Sequence, residues 1–357
     1  MKMKTIRLLF ILSVSTMITF AQNSNIPDEV TKVATAAENW LKIETSARAI
    51  GMGGAQVAAG NGIDGIPYNP ASLGSLTRNE LYFSKVNYLA GISHNVLSFG
   101  TQLSSTDFFA LHLFFLDSGP IGVTTTEFPL GTGEDYHVRD LAFRITYAKI
   151  LTDRLKVGLT LKYIREDIYT MSAQTFAVDI GSNFDTGIYG MKLGMSVSNF
   201  GPEIQYHGEG LESTVPDTTD PSGAMAKITE KFPLPMTFRL GISNDIIGTE
   251  SYYHVSNTHR LTLAVDGMNP MDYVVTINAG LEYAWKETAF ARIGYHFDHD
   301  TGVLDRGNGL DEYPFAGLSL GAGARISTNG LAFTIDYAFV NYGILDFTHQ
   351  FSIKVNL

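Results

Sequence analysis

The chain has 357 residues, of which only 17% are charged, and it contains 35 Gly, 22 Phe and 17 Tyr, a composition rich in strand-forming aromatic residues. It has no Cys, which excludes disulfides, thiolate metal sites and cysteine nucleophiles. The formal net charge of -11, without any basic run, argues against a nucleic-acid partner, because affinity for phosphate backbones depends on clustered Lys and Arg.

The N-terminus has the pattern of a secretory signal peptide. Lys2, Lys4 and Arg7 precede an apolar stretch over 8–20, and the sequence Thr-Phe-Ala ends at Ala21. The apolar stretch is shorter than the roughly 20 residues that a membrane-spanning helix needs. We therefore predict a signal peptide over 1–21, cleaved after Ala21, and export of the mature chain.

Residues 22–78 do not have the alternating pattern of strands. Pro27, Asp28 and Glu29 are typical of the first turn of a helix, and the apolar spacing predicts that this helix continues to Leu41. Two stretches rich in small and turn-forming residues follow, over 45–60 and 61–74. The glycines at 51, 53 and 54 do not indicate a nucleotide site, because no strand-helix repeat surrounds them, and we predict no cofactor.

From residue 79 onwards, apolar and polar residues alternate in runs of about ten residues. Such runs are longer than most strands of soluble sheets and match tilted strands that cross an outer membrane. They predict fourteen strands, an even number, at 79–88, 92–103, 107–117, 139–150, 154–169, 173–184, 189–199, 234–244, 259–267, 273–286, 288–297, 316–326, 330–339 and 346–357.

The connections between these strands are alternately short and long, as in barrels with short periplasmic turns and long outer loops. The long connections are 118–138, 200–233 and 298–315. Two connections fit this alternation poorly, because 245–258 is long for a periplasmic turn and 170–172 is short for an outer loop.

The polar strand faces predict the character of the barrel interior. They carry charges of both signs, which favours internal ion pairing over an ion-selective pore, at Arg144, Lys156, Lys162, Asp179, Arg239, Asp266, Glu282, Arg292, Arg325 and Asp336. Glycines lie on the same faces, at 158, 181, 194, 241, 280, 294, 321 and 323. These glycines either relieve strand curvature or make room for a plug, which residues 22–78 would supply.

Catalytic and metal-binding patterns are weak. The sequence has no Gly-x-Ser-x-Gly elbow and no spacing that selects a Ser, His and acid triad. His296, Asp298, His299 and Asp300 cluster at the start of a long loop, but the twelfth position of a calcium loop is occupied by Gly309 instead of Glu. We interpret this cluster as a solvated loop, and we predict no catalytic residue, no metal site and no enzymatic activity.

The segment before the strands resembles a known family. Residues 47–55, Ala-Arg-Ala-Ile-Gly-Met-Gly-Gly-Ala, then Asp64 and the run 68–73, Tyr-Asn-Pro-Ala-Ser-Leu, followed by a barrel, resemble the PorV/PorQ family of outer-membrane proteins. The chain is more distantly similar to FadL-type transporters, which have fourteen strands and an Asn-Pro-Ala motif in an N-terminal hatch. Tyr68 departs from the Trp of PorV itself. The resemblance implies a hatch motif at Gly51, Met52, Gly53, Gly54, Asp64, Asn69, Pro70 and Ala71.

The sequence therefore predicts an all-β fold, a 14-stranded antiparallel transmembrane β-barrel of a Gram-negative outer membrane, with a short helical or irregular N-terminal hatch. The expected organisation is a signal peptide at 1–21, a helix and Gly-rich hatch segment at 22–78, and a barrel at 79–357.

The resemblance implies a component of type IX protein secretion or surface attachment, with secretion-system proteins and cargo C-terminal signal domains as partners. The alternative is a FadL-like transporter of hydrophobic small molecules with an apolar ligand, and a third hypothesis is a soluble exported β protein. In the barrel hypotheses, outer-membrane lipid is a further partner.

Overall fold

The computed structural model describes residues 33–213, 225–226, 228–298, 315–328 and 330–357. The predicted signal peptide, residues 22–32 of the predicted hatch segment, and the residues His299, Asp300 and Gly309 lie outside this part of the chain. Among the described residues, no helix is both long and apolar enough to cross a membrane.

Fourteen long strands form one closed antiparallel sheet, as the sequence predicts. In chain order they are β1 Glu80–Asn87, β2 Ser93–Gln102, β3 Asp107–Asp117, β4 Val138–Thr152, β5 Leu155–Ile168, β6 Met171–Asp185, β7 Met191–Phe200, β8 Thr237–Gly248, β9 His259–Pro270, β10 Thr276–Trp285, β11 Ala289–Asp298, β12 Leu318–Thr328, β13 Leu331–Asn341 and β14 Phe347–Asn356. Each strand pairs with its neighbours in sequence, and β14 pairs with β1 from Glu80 opposite Asn356 to Asn87 opposite His349. The sheet therefore closes into a barrel without a free edge.

Alternation along each strand separates an apolar outer face from a polar inner face. On β14, Phe347 and Phe351 are each 50% exposed, whereas Gln350 is 1% exposed. Large apolar side chains are exposed in the same way on the other strands. In a closed barrel, the backbone polar groups of each strand hydrogen-bond to neighbouring strands, and here apolar side chains face the lipid. These features confirm the predicted outer-membrane barrel.

The connections keep the predicted difference in length. Lys286 and Glu287 form a tight turn with positive φ between β10 and β11, whereas 118–137 and 201–236 are long. Of the two connections that fitted poorly, the one before β6 is even shorter, since β6 already begins at Met171. The one after β8 is shorter than predicted, because β8 extends to Gly248. The connection 118–137 contains a small hairpin that pairs Ile121–Gly122 with Asp135–Tyr136.

The helix predicted from Pro27 to Leu41 is wrong over its described part. Residues 33–38 form turns and bends, and only Asn39–Lys42 is helical, as one turn of 3-10 helix. The reason is tertiary: the amide of Ala34 donates to the carbonyl of Asp272 (3.2 Å) and the amide of Ala37 to that of Pro233 (3.0 Å). These bonds to the barrel loops replace the bonds that a helix would make within itself.

The rest of the N-terminal region folds inside the barrel as short helices joined by turns. The only α-helix in the described residues, α1, spans Ala47–Gly51, and 3-10 turns follow at Ile63–Gly65 and Pro70–Ser75. We call residues 44–76 the inner segment. Its apolar side chains, such as Ile63 and Leu73, are fully buried against strand residues that include Phe108 and Ala148.

Candidate functional site in the barrel interior

The inner segment touches the barrel wall where the wall has glycines. A Cβ atom on Gly158 would overlap the backbone of Pro70, and one on Gly181 would overlap the side chain of Asn69. The same overlap occurs at Gly194 with Val57, at Gly280 with Met52 and at Gly294 with Gly53, and a Cβ on Gly321 would lie 3.0 Å from the Cα of Gly51. Of the eight inward glycines, Gly241 and Gly323 instead face chiefly the carboxylates of Asp266 and Asp336. Most of these glycines thus make room for the inner segment, in addition to any effect on strand curvature.

Residues Gly51, Met52, Gly53 and Gly54 form the turn that ends α1 and touches strands β10 to β12. Gly53 and Gly54 have φ angles of 64° and 85°, which only glycine adopts without strain. The amide of Gly53 donates to Ser319 Oγ (3.0 Å), and the Met52 side chain is fully buried. This turn is therefore fitted closely to the wall.

Asn69, Pro70 and Ala71 form a second contact, on the opposite side of the barrel against β5 and β6. The Asn69 side-chain amide donates to the carbonyls of Val57 (2.8 Å) and Ser182 (3.0 Å), and its Oδ1 accepts from the amide of Ala71 (3.0 Å). Asn69 thus caps the helical turn that begins at Pro70 and also ties it to the wall.

A buried cluster of charges joins α1 to the wall. Arg48 on α1 lies 2.8 Å from the Glu282 carboxylate of β10, and this carboxylate also pairs with Arg292 (2.7 Å) and Arg260 (2.9 Å). Arg292 in turn lies 2.6 Å from Asp336. The predicted ion pairing of the interior is confirmed here and at Lys162 and Asp179, which lie 2.7 Å apart.

Asp64 makes a separate ion pair with β14. Its Oδ1 atom lies 2.8 Å from Lys354 Nζ. Burial alone would raise the pKa of Asp64, but the charges of Lys354 and Arg48 lower it below its usual value. Asp64 therefore stays ionised and fixes the middle of the inner segment to the last strand.

All the residues of the predicted hatch motif lie inside the barrel. The residues 51–54 and 69–71 make the two wall contacts, and Asp64 makes the ion pair. The sequence did not single out Arg48, Glu282 and Lys354 as their partners. Glu282 was recognisable as an inward charge, and Arg48 lies in the run 47–55 that carries the resemblance, but their pairing depends on the path of the inner segment.

A small polar cavity lies between the inner segment and the barrel wall. Its volume is about 40 Å³, and its lining includes Glu44, Tyr68, Arg144, Arg239 and Asp266. Burial raises the pKa of Glu44, although the charges of His296 and Arg239 oppose this shift. This cavity has room for ordered water but is far smaller than the about 300–1,000 Å³ of typical small-molecule sites.

A larger, apolar groove lies on the outer face of the wall. It measures about 650 Å³ and is lined by Phe143, Ile145, Leu161, Lys162, Tyr163, Phe176, Ala177, Val178, Phe200, Gly201 and Pro202. Most of these side chains belong to the lipid-facing surface of β4 to β7. The sequence did not predict this groove.

The groove adjoins an interruption of the wall between β6 and β7. Val178 pairs with Phe200 but Ile180 pairs with Val197, so an extra residue bulges from β7. This bulge includes Asn199, whose φ is 62°, and its amide donates to Asp179 (2.7 Å). Beyond Val178, residues 173–177 of β6 have no partner strand on this side among the described residues.

No group of three or more His, Asp or Glu side chains with the geometry of a metal site occurs in the described parts of the chain. His296, from the cluster considered in the sequence, contacts the side chain of Asn278 in the barrel interior.

Comparison with solved structures gives matches that include two toluene transporters and a FadL homologue. The Pseudomonas putida toluene transporter TodX matches with a TM-score of 0.52, 12% sequence identity and coverage of 88% of this chain and 97% of that chain. The Ralstonia pickettii toluene transporter TbuX matches with a TM-score of 0.51 and 13% identity over 88% of this chain and 98% of that one. A Pseudomonas aeruginosa FadL homologue matches with a TM-score of 0.51 and 12% identity over 87% and 97%.

At these identities the likeness concerns the fold, which is that of FadL-type outer-membrane barrels. No protein-family model and no curated protein matches the sequence, so the PorV/PorQ resemblance is not supported by a family match.

Proposed function

We propose that the chain is an outer-membrane channel for apolar small molecules. The observation that carries this proposal is the groove of about 650 Å³ on the lipid-facing wall. Its volume falls within the range of small-molecule sites, and its lining is mostly aromatic and aliphatic. Because the groove opens towards hydrocarbon, it suits a molecule that partitions into lipid.

The barrel interior supports the same proposal. The inner segment and its ion pairs fill the lumen, and the cavity between the inner segment and the wall is about 40 Å³. Such an interior does not suit free diffusion of polar solutes, which requires a water-filled lumen. TodX and TbuX are toluene transporters, and by analogy a monoaromatic hydrocarbon is a reasonable first ligand for this chain.

We assign the described part of the predicted hatch segment, residues 33–78, to a hatch, with Gly51, Met52, Gly53, Gly54, Asp64, Asn69, Pro70 and Ala71 as the residues that seat it. The wall contacts described above support this assignment. Proteolysis of the purified barrel offers a test, because a seated hatch should be protected in the native protein and cleaved after unfolding.

An uptake assay with radiolabelled toluene tests the channel proposal. The cells lack their own copy of this protein and express one variant at a time. Leu161→Trp places a large side chain in the groove, and we expect it to reduce uptake several-fold. Leu159→Trp is the matched control, because Leu159 faces lipid on the same strand and does not line the groove. Equal uptake by both variants, with both barrels folded, would refute the assignment of the groove as the ligand site.

A second candidate function is a PorV/PorQ-type role in type IX secretion or surface attachment. Besides the motif resemblance, the hairpin in 118–137 favours it, because Phe128 and Leu130 at its tip are highly exposed. Exposed apolar residues on an outer loop suit a protein partner, such as a secretion-system protein or a cargo C-terminal signal domain. Replacing both residues by Ser should then reduce surface display of such cargo, whereas a channel without this role would leave display unchanged.

A further inference from the structure

Residues 33–42, which we call the strap, lie across the inside of the barrel at the end where the long loops emerge. Trp40 and Leu41 of the strap pack into the same buried cluster as Phe114 and Leu116 of β3. The Trp40 ring also meets the ring of His94 of β2 edge to face, with 5.9 Å between centroids. The strap therefore covers an apolar surface formed by β2 to β4.

Three carboxyl groups meet beneath the strap. Asp140 of β4 and Glu166 of β5 are directly opposite each other in the strand register, and Glu38 of the strap lies beside them. Glu38 and Asp140 are 3% and 4% exposed. Like charges opposite each other on adjacent strands are destabilising, and burial increases that cost.

The groups outside the cluster that donate hydrogen bonds to it are neutral. The Trp40 indole donates to Glu38 (2.6 Å), and the Tyr206 hydroxyl donates to Glu166 (2.8 Å). Among the described residues, Glu38 Oε1 and Asp140 Oδ1 are buried without a hydrogen-bond partner. Buried carboxylate oxygens in this state require a proton or another positive group.

The other ionisable groups packed around the cluster do not supply a matching cation. They are His94 on β2, Arg144 on β4, Asp167 on β5 and Tyr206 in the long loop after β7. Arg144 stacks over the Phe114 ring, with its guanidinium carbon 3.6 Å from the ring centre. Burial, together with the charge of Glu166, raises the pKa of Glu38 to about 8.

We propose that the strap is a proton-dependent closure, held against β2 to β4 by a proton on the carboxyl cluster of Glu38, Asp140 and Glu166, and released when that proton is lost. A carboxyl group that is protonated more readily in the docked state stabilises docking at low pH. Docking weakens as the pH rises from the ordinary value of glutamate, about 4.3, and the loss is complete above the pKa of Glu38. The closure does not depend on which molecule the barrel transports.

Trp40 is a natural reporter for this closure. The chain contains two Trp residues, so Trp285→Phe leaves Trp40 as the only one, and Trp40 is 7% exposed when docked. In full-length protein refolded into phosphatidylcholine vesicles, we expect acrylamide quenching of Trp40 to increase as the pH is raised from about 5 to about 9.

Glu38→Gln, which keeps the hydrogen bond but removes the charge, should abolish this increase and keep quenching low throughout. Glu203→Gln is the control, because Glu203 is exposed and lies outside the cluster, and it should behave like the parent. If Glu38→Gln does not fold, Glu166→Gln tests the same cluster.

The proposal would be overturned if quenching of Trp40 in the parent did not change with pH. It would also be overturned if quenching in Glu38→Gln changed with pH as it does in the parent. His94→Phe removes the neighbouring imidazole. The quenching transition of this variant should have the same pH midpoint as that of the parent. Loss of the transition in His94→Phe alone would assign the switch to His94 instead and would equally overturn the proposal.

Discussion

Asn69 illustrates how one side chain can fix both the local turn and its position in the barrel. Its amide satisfies two carbonyls that belong to separate parts of the structure, and its oxygen caps the following turn. We expect Asn69→Ala to lower the free energy of unfolding by about 1–3 kcal/mol, because buried carbonyls lose their donors. Urea unfolding in lipid vesicles measures this change.

Asn87→Ala is the matched control for Asn69→Ala, since Asn87 is exposed at the end of β1. It should change stability by less than about 0.5 kcal/mol. Similar stabilities for the two variants would mean that Asn69 does not anchor the inner segment.

Gly158 tests whether the wall glycines make room for the inner segment. Gly158→Ala would force a methyl group into the backbone of Pro70, so we expect a loss of about 1–3 kcal/mol or displacement of the inner segment. In Gly267→Ala the added methyl would lie 3.9 Å from the carbonyl oxygen of Leu240, an ordinary contact. If both variants lose the same stability, the effect comes from the strand conformation and not from the inner segment.

At the scale of elements, α1 is attached to the wall by apolar packing against β13 and by one buried carboxylate. Glu282 is buried and contacts Arg48, Arg260 and Arg292. Glu282→Gln removes the counter-charge of Arg48 and one of the two acidic partners of Arg260 and of Arg292, and breaking a buried ion pair in this way costs about 3–5 kcal/mol. We expect the same range for this variant in urea unfolding, together with faster proteolysis within 44–76.

The pair of Arg165 and Asp167 on β5 provides a surface comparison, because both side chains are more than two-fifths exposed. Asp167→Asn should cost less than about 1 kcal/mol. An equally small effect of Glu282→Gln would show that the inner segment is held mainly by apolar packing.

The strands were predictable because their signal is local. On β14, the alternation of Phe351, Ile353 and Val355 with Gln350, Ser352 and Lys354 assigns both faces without knowledge of any partner. The inward glycines were visible for the same reason. Their role required the structure, because most of them meet residues of the inner segment, a distant part of the sequence, as Gly158 meets Pro70.

The strap and the groove were not predictable by local rules. Residues 33–38 have helical spacing, but their amides bond to loops more than 190 residues away, so tertiary contacts override the local preference. The groove adjoins the bulge at Asn199, which is visible only in the register between β6 and β7. The clustering of Glu38 with Asp140 and Glu166 likewise depends on the path of the strap.

At the scale of the whole molecule, the barrel combines a filled lumen with an apolar outer groove. A barrel of this size would enclose water if nothing filled it, since width increases with strand number. Here the lumen holds ion pairs that join the inner segment to β10 and β14. The polar interior therefore serves to hold the inner segment, and the lipid-facing wall is left as the surface suited to apolar molecules.

This arrangement predicts a low ionic conductance for the intact protein in planar lipid bilayers, because the inner segment blocks the lumen. Replacing residues 45–76 by a short Gly-Ser linker should produce large, steady conductance steps, since the charged wall would then face water. Removing the hairpin 121–136 is the control, because it lies outside the ring of fourteen strands and should leave conductance low. Retarded migration of unheated samples in gels establishes that each variant has folded. A large open conductance in the intact protein would refute the blocked lumen, and with it the argument that apolar molecules use the wall.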